Sequence, residues 1–374
     1  MLGAFVWIEL TLVLCLLING NDSSHLMFHA SADNIDDLMR AVFTRLLSGN
    51  RENNRVRSKK GDSTEVFGAL LQLSNPRARL GRSMVRSKVY SAIGELVWYL
   101  SGSDALEQIQ YYIEKYHEFS DDGATLNGAY GPRIFSRSRC MTVGPASDEW
   151  QRVIDVLKAR SGSRNAVIQI YANADGNKET KDVPCTCTIQ FAIRNKLEMH
   201  VHMRSNDAYL GLPHDVFAFT MMQEIAGREL GVEVGRYQHS VASLHLYDDE
   251  EDPGGLKSRT LAQKYLDEGL HDTVPMPAMP KGDPWTSIRE LVQAENQLRL
   301  GNLEYAPPPW LDPYWNDFIV LLRAHAMAVK DGESANLEGL LDNIHAPAYR
   351  LYILDRIAKR KLPAVTKDFF KNDD

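Results

Sequence analysis

The stretch from Asp182 to Asp215 constrains the fold more than any other part of this sequence. Strand-like alternation runs over residues 188–193 and again over 197–203, and the Arg194-Asn195 step between them predicts a hairpin turn. Such a hairpin could carry a thiolate nucleophile for an anionic substrate, although an ordinary buried hairpin with a structural cysteine would show the same pattern. The side chains that would gather around the hairpin and its exit are Cys185, Arg204, Asp207 and Asp215.

Composition excludes some classes of partner and of metal site. The 374 residues carry 42 basic and 49 acidic side chains, a net charge of −7, so no overall positive field favours a nucleic-acid polymer. The four cysteines show neither the spacing of a zinc site nor the density of a disulfide framework. Cys185 and Cys187 would share one strand face, which leaves a Cys-x-Cys metal site as an alternative. Reduced thiols in a cytosolic protein are the preferred interpretation, and no metal is predicted.

The rest of the chain mixes helical and strand patterns, which predicts an α/β (α+β) fold. Asp33 is expected to cap the first helix. Glu95 falls inside a buried apolar helix, where a carboxylate needs a partner or a task. The polar, basic residues 48–63 are expected to form a loop. Helices are expected at residues 33–47, 88–102, 150–159 and 216–230, and strands at 165–171, 232–237 and 241–247.

Both ends of the chain differ from this region. Residues 1–19 are apolar, as in a signal peptide or an anchor, but Glu9 interrupts the run and no basic residue precedes it. An upstream start codon, with initiation near Met27, or a dispensable extension is the preferred interpretation. Two helices are expected after a proline-rich linker, at 315–329 and 348–360. The predicted division is an apolar extension at 1–29, a catalytic domain at 30–300 and a helical extension at 301–374.

Several motifs together resemble the thymidylate synthase superfamily. They are PC-x-x-x-x-QF from Pro184, RS-x-D-x-x-LG-LP from Arg204, H-x-Y at His245, ELVWYL from Glu95 and YG at Tyr130. The resemblance covers roughly residues 30 to 250, in order and at family-like spacing. One position departs from the usual pattern, because the residue two after the LP proline is normally Asn and is here Asp215. The pyrimidine hydroxymethylases of the same superfamily carry Asp there.

The resemblance implies a role for each matching residue. Cys185 would be the nucleophile, Glu95 would organise water and protons at the pyrimidine, and Tyr130 would be an active-site tyrosine. Asp207 would bind the pterin of 5,10-methylenetetrahydrofolate, the expected co-substrate. Cys187 is interpreted as a packing residue. Substrate-binding roles would fall to Arg57, Arg164, Arg204, Ser205, Asp215, His245 and Tyr247.

The resemblance also implies a homodimer with sites shared across the interface. Arg57 would fold over the substrate phosphate, although a solvated basic loop is an equal alternative. Arg164 would cross to the partner's phosphate, more weakly than in the family because Asn165 replaces the second arginine of a pair. His239 is interpreted as structural. The expected partner is a pyrimidine nucleoside monophosphate, and the expected setting is the cytoplasm, without a membrane.

These expectations favour a hydroxymethylase that acts on carbon 5 of a cytidylate, dCMP or CMP. The two supporting observations are Asp215, which would accept from the cytosine amino group, and the end of the sequence, KDFFKNDD, which lacks the short apolar tail of thymidylate synthases. Asp215 could instead merely cap the following helix. There are two alternative functions. The protein could be a thymidylate synthase variant that methylates dUMP, or a non-catalytic nucleotide-binding protein that kept the pocket.

Overall fold

The computed structural model describes residues 27–48, 54–58, 61–83, 85, 89–136, 139, 148–176, 179–250, 257–269 and 274–361. Most of the predicted N-terminal extension and the KDFFKNDD end lie outside these residues. Among the helices of the described segments, none combines the length and apolar character that crossing a lipid bilayer requires. The same segments hold no group of three or more His, Cys, Asp or Glu side chains arranged for a metal ion.

A mixed sheet forms the centre of the described chain, in the spatial order β1-β3-β7-β6-β5-β4, with β2 paired to β3. The β1–β3 and β6–β7 pairs are parallel, and the other pairs are antiparallel. The predicted fold class is confirmed. The strands are β1 Phe28–Ala32, β2 Arg55–Ser58, β3 Gly61–Leu73, β4 Val167–Gln169, β5 Thr186–Arg194, β6 Lys196–Asp207 and β7 Val234–Tyr247.

Helices pack around this sheet and against one another. Their apolar side chains join the buried face of the sheet in one hydrophobic core, which extends to Trp315, Phe318 and Tyr349 near the end of the described chain. In chain order they are α1 Ile35–Ser48, α2 Val89–Leu100, α3 Leu106–Gln110, α4 Gly131–Ile134, α5 Glu149–Ala159, α6 Gly211–Leu230, α7 Ser258–Glu268, α8 Trp285–Arg299, α9 Pro313–Asp331 and α10 Pro347–Lys361.

The predicted central hairpin is present, and its second strand is longer than expected. Asn195 adopts a left-handed φ of 68° in the tight turn between β5 and β6, a conformation that Asn tolerates better than most residues. Strand β6 continues to Asp207, so Arg204 to Asp207 lie in the sheet rather than after it. The two strands predicted around residues 232–247 are one continuous strand, because its polar residues alternate onto the sheet face opposite the core.

Three other local predictions are wrong. Within the expected basic loop at 48–63, residues 55–58 form β2 and residues 61–63 begin β3, because the two strands pair as a β-hairpin. The Asn34 side chain, rather than Asp33, accepts from the Asp37 main-chain N–H at the start of α1, at 2.8 Å. Helix α6 begins at Gly211, one turn earlier than expected, and ends as predicted at Gly231, whose φ is 68°.

Segments after residue 274 are fastened to the sheet and its helices. The Met279 main-chain N–H donates to buried Glu224 at 3.0 Å, within the segment predicted to be a linker. The indole N–H groups of Trp150 and Trp285 both donate to Glu229, at 3.0 and 2.8 Å. These contacts hold α5 and α8 against α6, the helix that carries Asp215.

Candidate active site

Cys185 lies directly before β5, at the end of a segment that Arg204 fixes in place. The Arg204 guanidinium donates through Nε to the Pro184 carbonyl and through Nη2 to the Val183 carbonyl, both at 2.9 Å. The Arg204 main-chain N–H donates to the Cys185 carbonyl, also at 2.9 Å. The Arg204 guanidinium is therefore bound to main-chain carbonyls beside Cys185, which holds this residue at the start of β5.

Tyr130 connects this cysteine to the helices. Its phenol oxygen accepts from the Thr186 main-chain N–H at 3.2 Å, and its ring stacks on Phe219 of α6 at a centroid separation of 6.3 Å. Burial raises the pKa of the Tyr130 phenol well above its usual range, and the nearby Asp215 and Cys185 raise it further. The phenol therefore stays protonated, and it lies within electrostatic reach of both Cys185 and Asp215.

Glu95 is buried on α2 and held by two phenols. Tyr99 and Tyr116 donate to the same Glu95 oxygen, Oε1, at 2.9 and 2.7 Å. Burial and the adjacent Glu95 raise the pKa of both phenols well above 10.0, so both remain hydrogen donors. A buried carboxylate with this support is oriented for proton transfer rather than left unsatisfied.

Asp215 faces the same region from the second turn of α6. Its helix begins four residues earlier and has Leu210 as its N-cap, so the alternative that Asp215 caps this helix is wrong. Burial raises the pKa of Asp215 well above its usual range, Glu95 and Asp207 raise it further, and the nearby Asn206 side chain lowers it. The neutral carboxyl form is thus favoured beside Glu95.

The ends of β6 and β7 bring together three more predicted residues. Asp207 pairs with His245 across the parallel strands, and the His245 and Tyr247 rings meet edge to face at 5.0 Å. Asp207 Oδ1 accepts from the main-chain N–H groups of Tyr209 and Leu210, at 2.7 and 2.9 Å, and so shapes the turn into α6. Ser205 pairs with Ser243 two residues earlier on the same strands.

The two predicted phosphate-binding arginines are not part of this cluster. The Arg57 side chain on β2 is 84% exposed, and its Nε lies 3.7 Å from Asp62. Arg164 is exposed beside the edge strand β4, and its main-chain carbonyl accepts from Gln190 at 3.1 Å. Within one chain, both guanidinium groups therefore remain in solvent.

Cys187 differs from Cys185 in its surroundings. Burial raises the pKa of the Cys187 thiol, while the Arg204 main-chain N–H and the Arg204 charge act against this rise. A thiol whose pKa is raised has less thiolate and is a poorer nucleophile. This argues against Cys187 as the nucleophile, while its packing role remains a prediction.

Comparison with known proteins gives the family. The thymidylate synthase family profile matches residues 36–261, more than half of the chain. The chain belongs to the thymidylate synthase family. It is therefore a one-carbon transferase that acts on a pyrimidine nucleotide, and the resemblance predicted from the motifs is confirmed.

Three relatives of this family member come from bacteriophages, and each is named deoxyuridylate hydroxymethyltransferase. The relative from Delftia phage PhiW-14 is 28% identical over 76% of this chain and 84% of its own length. The relative from Bacillus phage SP01 is 32% identical over 50% of this chain and 51% of its own. The relative from Pseudomonas phage M6 is 31% identical over 41% of this chain and 43% of its own length.

Sequence reasoning missed the two phenols that hold the glutamate of this thymidylate synthase family member. Tyr99 could have been found, because residues four apart on a helix lie on one face and Glu95 was already placed on that helix. Tyr116 lies in a separate 3-10 segment, Glu114–Phe119, and no spacing in the sequence connects it to Glu95. Asn206 was passed over inside the RS-x-D motif.

Proposed function

We propose that this protein hydroxymethylates carbon 5 of a pyrimidine deoxynucleoside monophosphate. The observation that carries the proposal is the convergence of four side chains, Cys185, Tyr130, Asp215 and Glu95. The Tyr130 phenol is close enough to Cys185 and Asp215 that both raise its pKa. A nucleophile beside two acid–base groups is the constellation that addition to a pyrimidine ring requires. The names of the three phage relatives support a hydroxymethyl product.

The first step uses Cys185 as a covalent catalyst. Carbon 5 of a pyrimidine is a poor nucleophile, but a thiolate that adds at carbon 6 turns it into an enolate-like carbon. 5,10-Methylenetetrahydrofolate supplies the one-carbon unit that this carbon attacks. Asp207 is proposed to bind its pterin, since a partly buried carboxylate beside Asp215 can accept from pterin N–H groups.

The second step decides between a methyl and a hydroxymethyl product. A base of the site takes the proton from carbon 5, its electron pair forms the double bond to the one-carbon unit, and tetrahydrofolate departs from that carbon, which leaves an exocyclic methylene on the pyrimidine. Water adds to this carbon, its proton passes to Glu95, and departure of the Cys185 thiolate restores the aromatic ring. Two phenol donors hold Glu95 in one orientation, which suits a general base for water. Hydride transfer from the folate would instead give a methyl group.

Asp215 is proposed to contact the base, and its protonation state determines which base fits. A neutral carboxyl has one donor and one acceptor, as an Asn amide has, and can pair with uracil N3–H and O4. An ionised carboxyl only accepts, which favours the amino group of cytosine. Because the surroundings of Asp215 favour the neutral form and the relatives are named for deoxyuridylate, we propose dUMP as the substrate.

Cytidylate is the second candidate, and Asp215 is the observation that favours it. The sequence-based prediction of dCMP remains a prediction, which requires Asp215 to be ionised when the nucleotide is bound. For either base, His245 and Tyr247 are proposed to bind the sugar hydroxyl, with Ser205 and Arg204 toward the phosphate. The active unit is proposed to be a cytoplasmic homodimer in which Arg164 serves the partner's phosphate.

Product analysis tests the proposed reaction. The protein is incubated with methylenetetrahydrofolate and, separately, dUMP, dCMP, UMP and CMP, and the products are identified by mass spectrometry. We expect a hydroxymethyl nucleotide together with tetrahydrofolate. A methyl product, accompanied by the absorbance rise of dihydrofolate, would contradict the proposal and favour thymidylate synthesis.

Asp215→Asn tests the base contact. The amide keeps the size of the side chain but permanently presents one donor and one acceptor. If ionised Asp215 reads cytosine, the variant loses kcat/KM on dCMP and gains it on dUMP, by up to about 10⁴-fold in the ratio. If neutral Asp215 reads uracil, activity on dUMP is retained. The proposed base contact would be contradicted if the variant kept the wild-type preference between dUMP and dCMP. Its kcat/KM would then fall by the same factor on both nucleotides.

A further inference from the structure

Residues 182–185, which end in the proposed nucleophile Cys185, come directly before β5. Regular strand pairing does not extend to them, because β5 begins at Thr186 and its register against β6 shifts between Thr186 and Thr188. A reacting group that is misplaced by about 1 Å can lose about 100-fold in rate. Contacts other than strand pairing are therefore needed to hold the thiol, and Arg204 provides some of them.

Asp182 provides further contacts, three residues before the thiol. Its Oδ2 accepts from the Gly128 main-chain N–H at 2.7 Å, and its main-chain carbonyl accepts from Asn127 Nδ2 at 3.1 Å. Gly128 is buried and Asp182 is partly buried. A hydrogen bond from a main-chain N–H to a carboxylate is roughly twice as strong as one between neutral groups, so this joint between two loops is a firm one.

A second joint lies on the other side of the thiol. The Thr186 main-chain N–H donates to the Tyr130 phenol, so this joint follows Cys185 in the chain, whereas the Asp182 joint precedes it. The two joints are close together along both segments, because one residue separates them on the tyrosine side and three on the cysteine side. They form a clamp around Cys185 that consists of Gly128, Tyr130, Asp182 and Thr186.

The tyrosine side of the clamp has a fixed support. The Asn127 carbonyl accepts from Arg133 Nη2 at 2.8 Å, and the same guanidinium makes two bonds with buried Asp175, at 2.7 and 2.8 Å. Arg133 Nη1 also donates to the Ile170 carbonyl at 2.7 Å. Because a bidentate pair of this kind holds both partners in one geometry, Asp182 connects the cysteine segment to a rigid part of the chain.

The space beside Gly128 is filled by the Asp182 carboxylate. A Cβ on Gly128 would come within 2.7 to 2.8 Å of the three atoms of that carboxylate. The φ angle of Gly128 is not positive, so its backbone conformation is open to other residues. A side chain at this position would push the carboxylate away from the Gly128 N–H, and the glycine and the aspartate therefore act as one unit.

We propose that Asp182 is a positioning residue that sets the location of the Cys185 thiol relative to the nucleotide. It acts through its bond to Gly128, which holds the first joint of the clamp closed. The proposal rests on the proposed function, in which Cys185 adds to carbon 6. Removing the carboxylate should displace the thiol and leave the rest of the nucleotide site in place.

Asp182→Ala tests this role through exchange of the carbon 5 hydrogen of whichever nucleotide the wild type accepts. We expect kcat for exchange to fall by about 10- to 100-fold, as for a reacting group displaced by about 1 Å. KM should change by less than about 2-fold, since the residues proposed to bind the nucleotide are untouched. Asp182→Asn should retain most of the rate, because its amide oxygen still accepts from Gly128. A rise in KM at unchanged kcat would overturn the proposal.

Alkylation of Cys185 by iodoacetamide distinguishes displacement of the thiol from a change in its reactivity. The reagent is small and needs no fixed direction of approach, so the alkylation rate of Asp182→Ala should stay within about 2-fold of the wild type from about pH 6 to about pH 9. Mass spectrometry of the modified peptide separates Cys185 from other thiols. A fall in alkylation as large as the fall in kcat would overturn the proposal, since Asp182 would then act on thiolate formation.

Asp121 supplies a matched control outside the clamp. Its carboxylate accepts from the Thr180 hydroxyl and from the Lys181 main-chain N–H, at 2.5 and 3.1 Å, and so joins the same two stretches of chain further from the thiol. Asp121→Ala should keep kcat within about 2-fold of the wild type, as for most exposed substitutions. Equal losses of kcat in the two Ala variants would overturn the proposal, because the clamp would then have no special role.

A double-mutant cycle with Gly128→Ala tests whether Gly128 and Asp182 act as one unit. Gly128→Ala should lower kcat as Asp182→Ala does, because its methyl group displaces the carboxylate. The double variant has no such clash and should match Asp182→Ala, whereas additive losses would overturn the proposal. If Asp182→Ala does not fold, Gly128→Ala decides alone: a lower kcat at constant KM supports the proposal, and an unchanged kcat overturns it.

Amide hydrogen exchange separates this proposal from the proposed function. Without any substrate, the Thr186 N–H should lose protection in Asp182→Ala and keep it in Asp121→Ala. If the wild type exchanges no carbon 5 hydrogen on dUMP, dCMP, UMP or CMP, the proposed function fails. Full protection of the Thr186 N–H in Asp182→Ala would instead overturn the clamp, whatever reaction the protein catalyses.

Discussion

The two ends of the proposed nucleotide site are built in different ways. At the proposed base end, Glu95, Tyr130 and Asp215 are buried or partly buried, and Glu95 and Tyr130 have hydrogen bonds within the same chain. At the proposed phosphate end, Arg57 and Arg164 lie in solvent on β2 and beside β4. The side chains of the base end are thus positioned before the nucleotide binds. The arginines of the proposed phosphate end would still have to move to the phosphate.

This difference has a physical reason. Carboxyl groups that exchange protons at a ring must be desolvated and oriented in advance, since that is how their pKa values are tuned. Arginines stay charged at any physiological pH and lose little by remaining hydrated until a phosphate appears. The chemistry can therefore be held in one chain, while phosphate binding can be left to the exposed hairpin of β2 and β3 or to the proposed second subunit.

Removing the proposed nucleophile should abolish the chemistry at the base end. Cys185→Ala should lower exchange of the carbon 5 hydrogen with solvent by at least about 10⁴-fold, because no other group can form the bond to carbon 6. Cys187→Ala, two residues further along β5, is the matched control and should retain exchange. The reverse result would transfer the role of nucleophile to Cys187.

Arg164→Ala should damage the phosphate end but leave the chemistry intact. Loss of one charge-assisted bond should raise KM by about 10- to 100-fold with little change in kcat. If the arginine serves the partner's site, mixing Arg164→Ala and Cys185→Ala subunits restores one complete site per heterodimer. Steady-state kinetics after subunit exchange would measure the recovery, and a fully active monomer would contradict the shared site.

Tyr116→Phe should have a smaller, purely catalytic effect. Its phenol is one of two donors that orient Glu95, so its loss should lower kcat for hydroxymethylation by about 10-fold and leave KM unchanged. Tyr112→Phe is the control, because the Tyr112 phenol donates to buried Glu295 instead, at 3.1 Å. Equal rate losses in the two variants would mean that Tyr116 acts through packing alone.

Asp215→Asn should produce the smallest effect, on stability. The folded-state pKa of Asp215 is raised, so the folded protein binds more protons than the unfolded chain between the two pKa values. The free energy of unfolding must fall as pH rises through that interval. The Asn variant cannot ionise and so does not lose this free energy. The difference in melting temperature, variant minus wild type, should therefore increase from about pH 4 to about pH 8. Parallel curves would show that Asp215 ionises normally.

Prediction of turns and helix ends from the sequence was most successful where the backbone conformation of a position favours one residue type. Gly231 ends α6 in a left-handed conformation, and Asn195 turns the central hairpin; both follow from local backbone preferences. Boundaries were less accurate. The start of α6 was missed because Gly211 and Pro213 are usually read as turn residues, although proline is tolerated in the first turn of a helix.

The sequence by itself determined the family, the fold class and the positions of Cys185, Glu95 and Asp215 along the chain, because motif spacing and hydrophobic periodicity are local properties. Only the tertiary structure decided that Tyr116 supports Glu95, and that Asp182 is bound to Gly128 beside Cys185. These contacts join residues up to 54 positions apart. Their existence depends on strand pairing and helix packing, and the proton states they impose depend on burial, which no local pattern specifies.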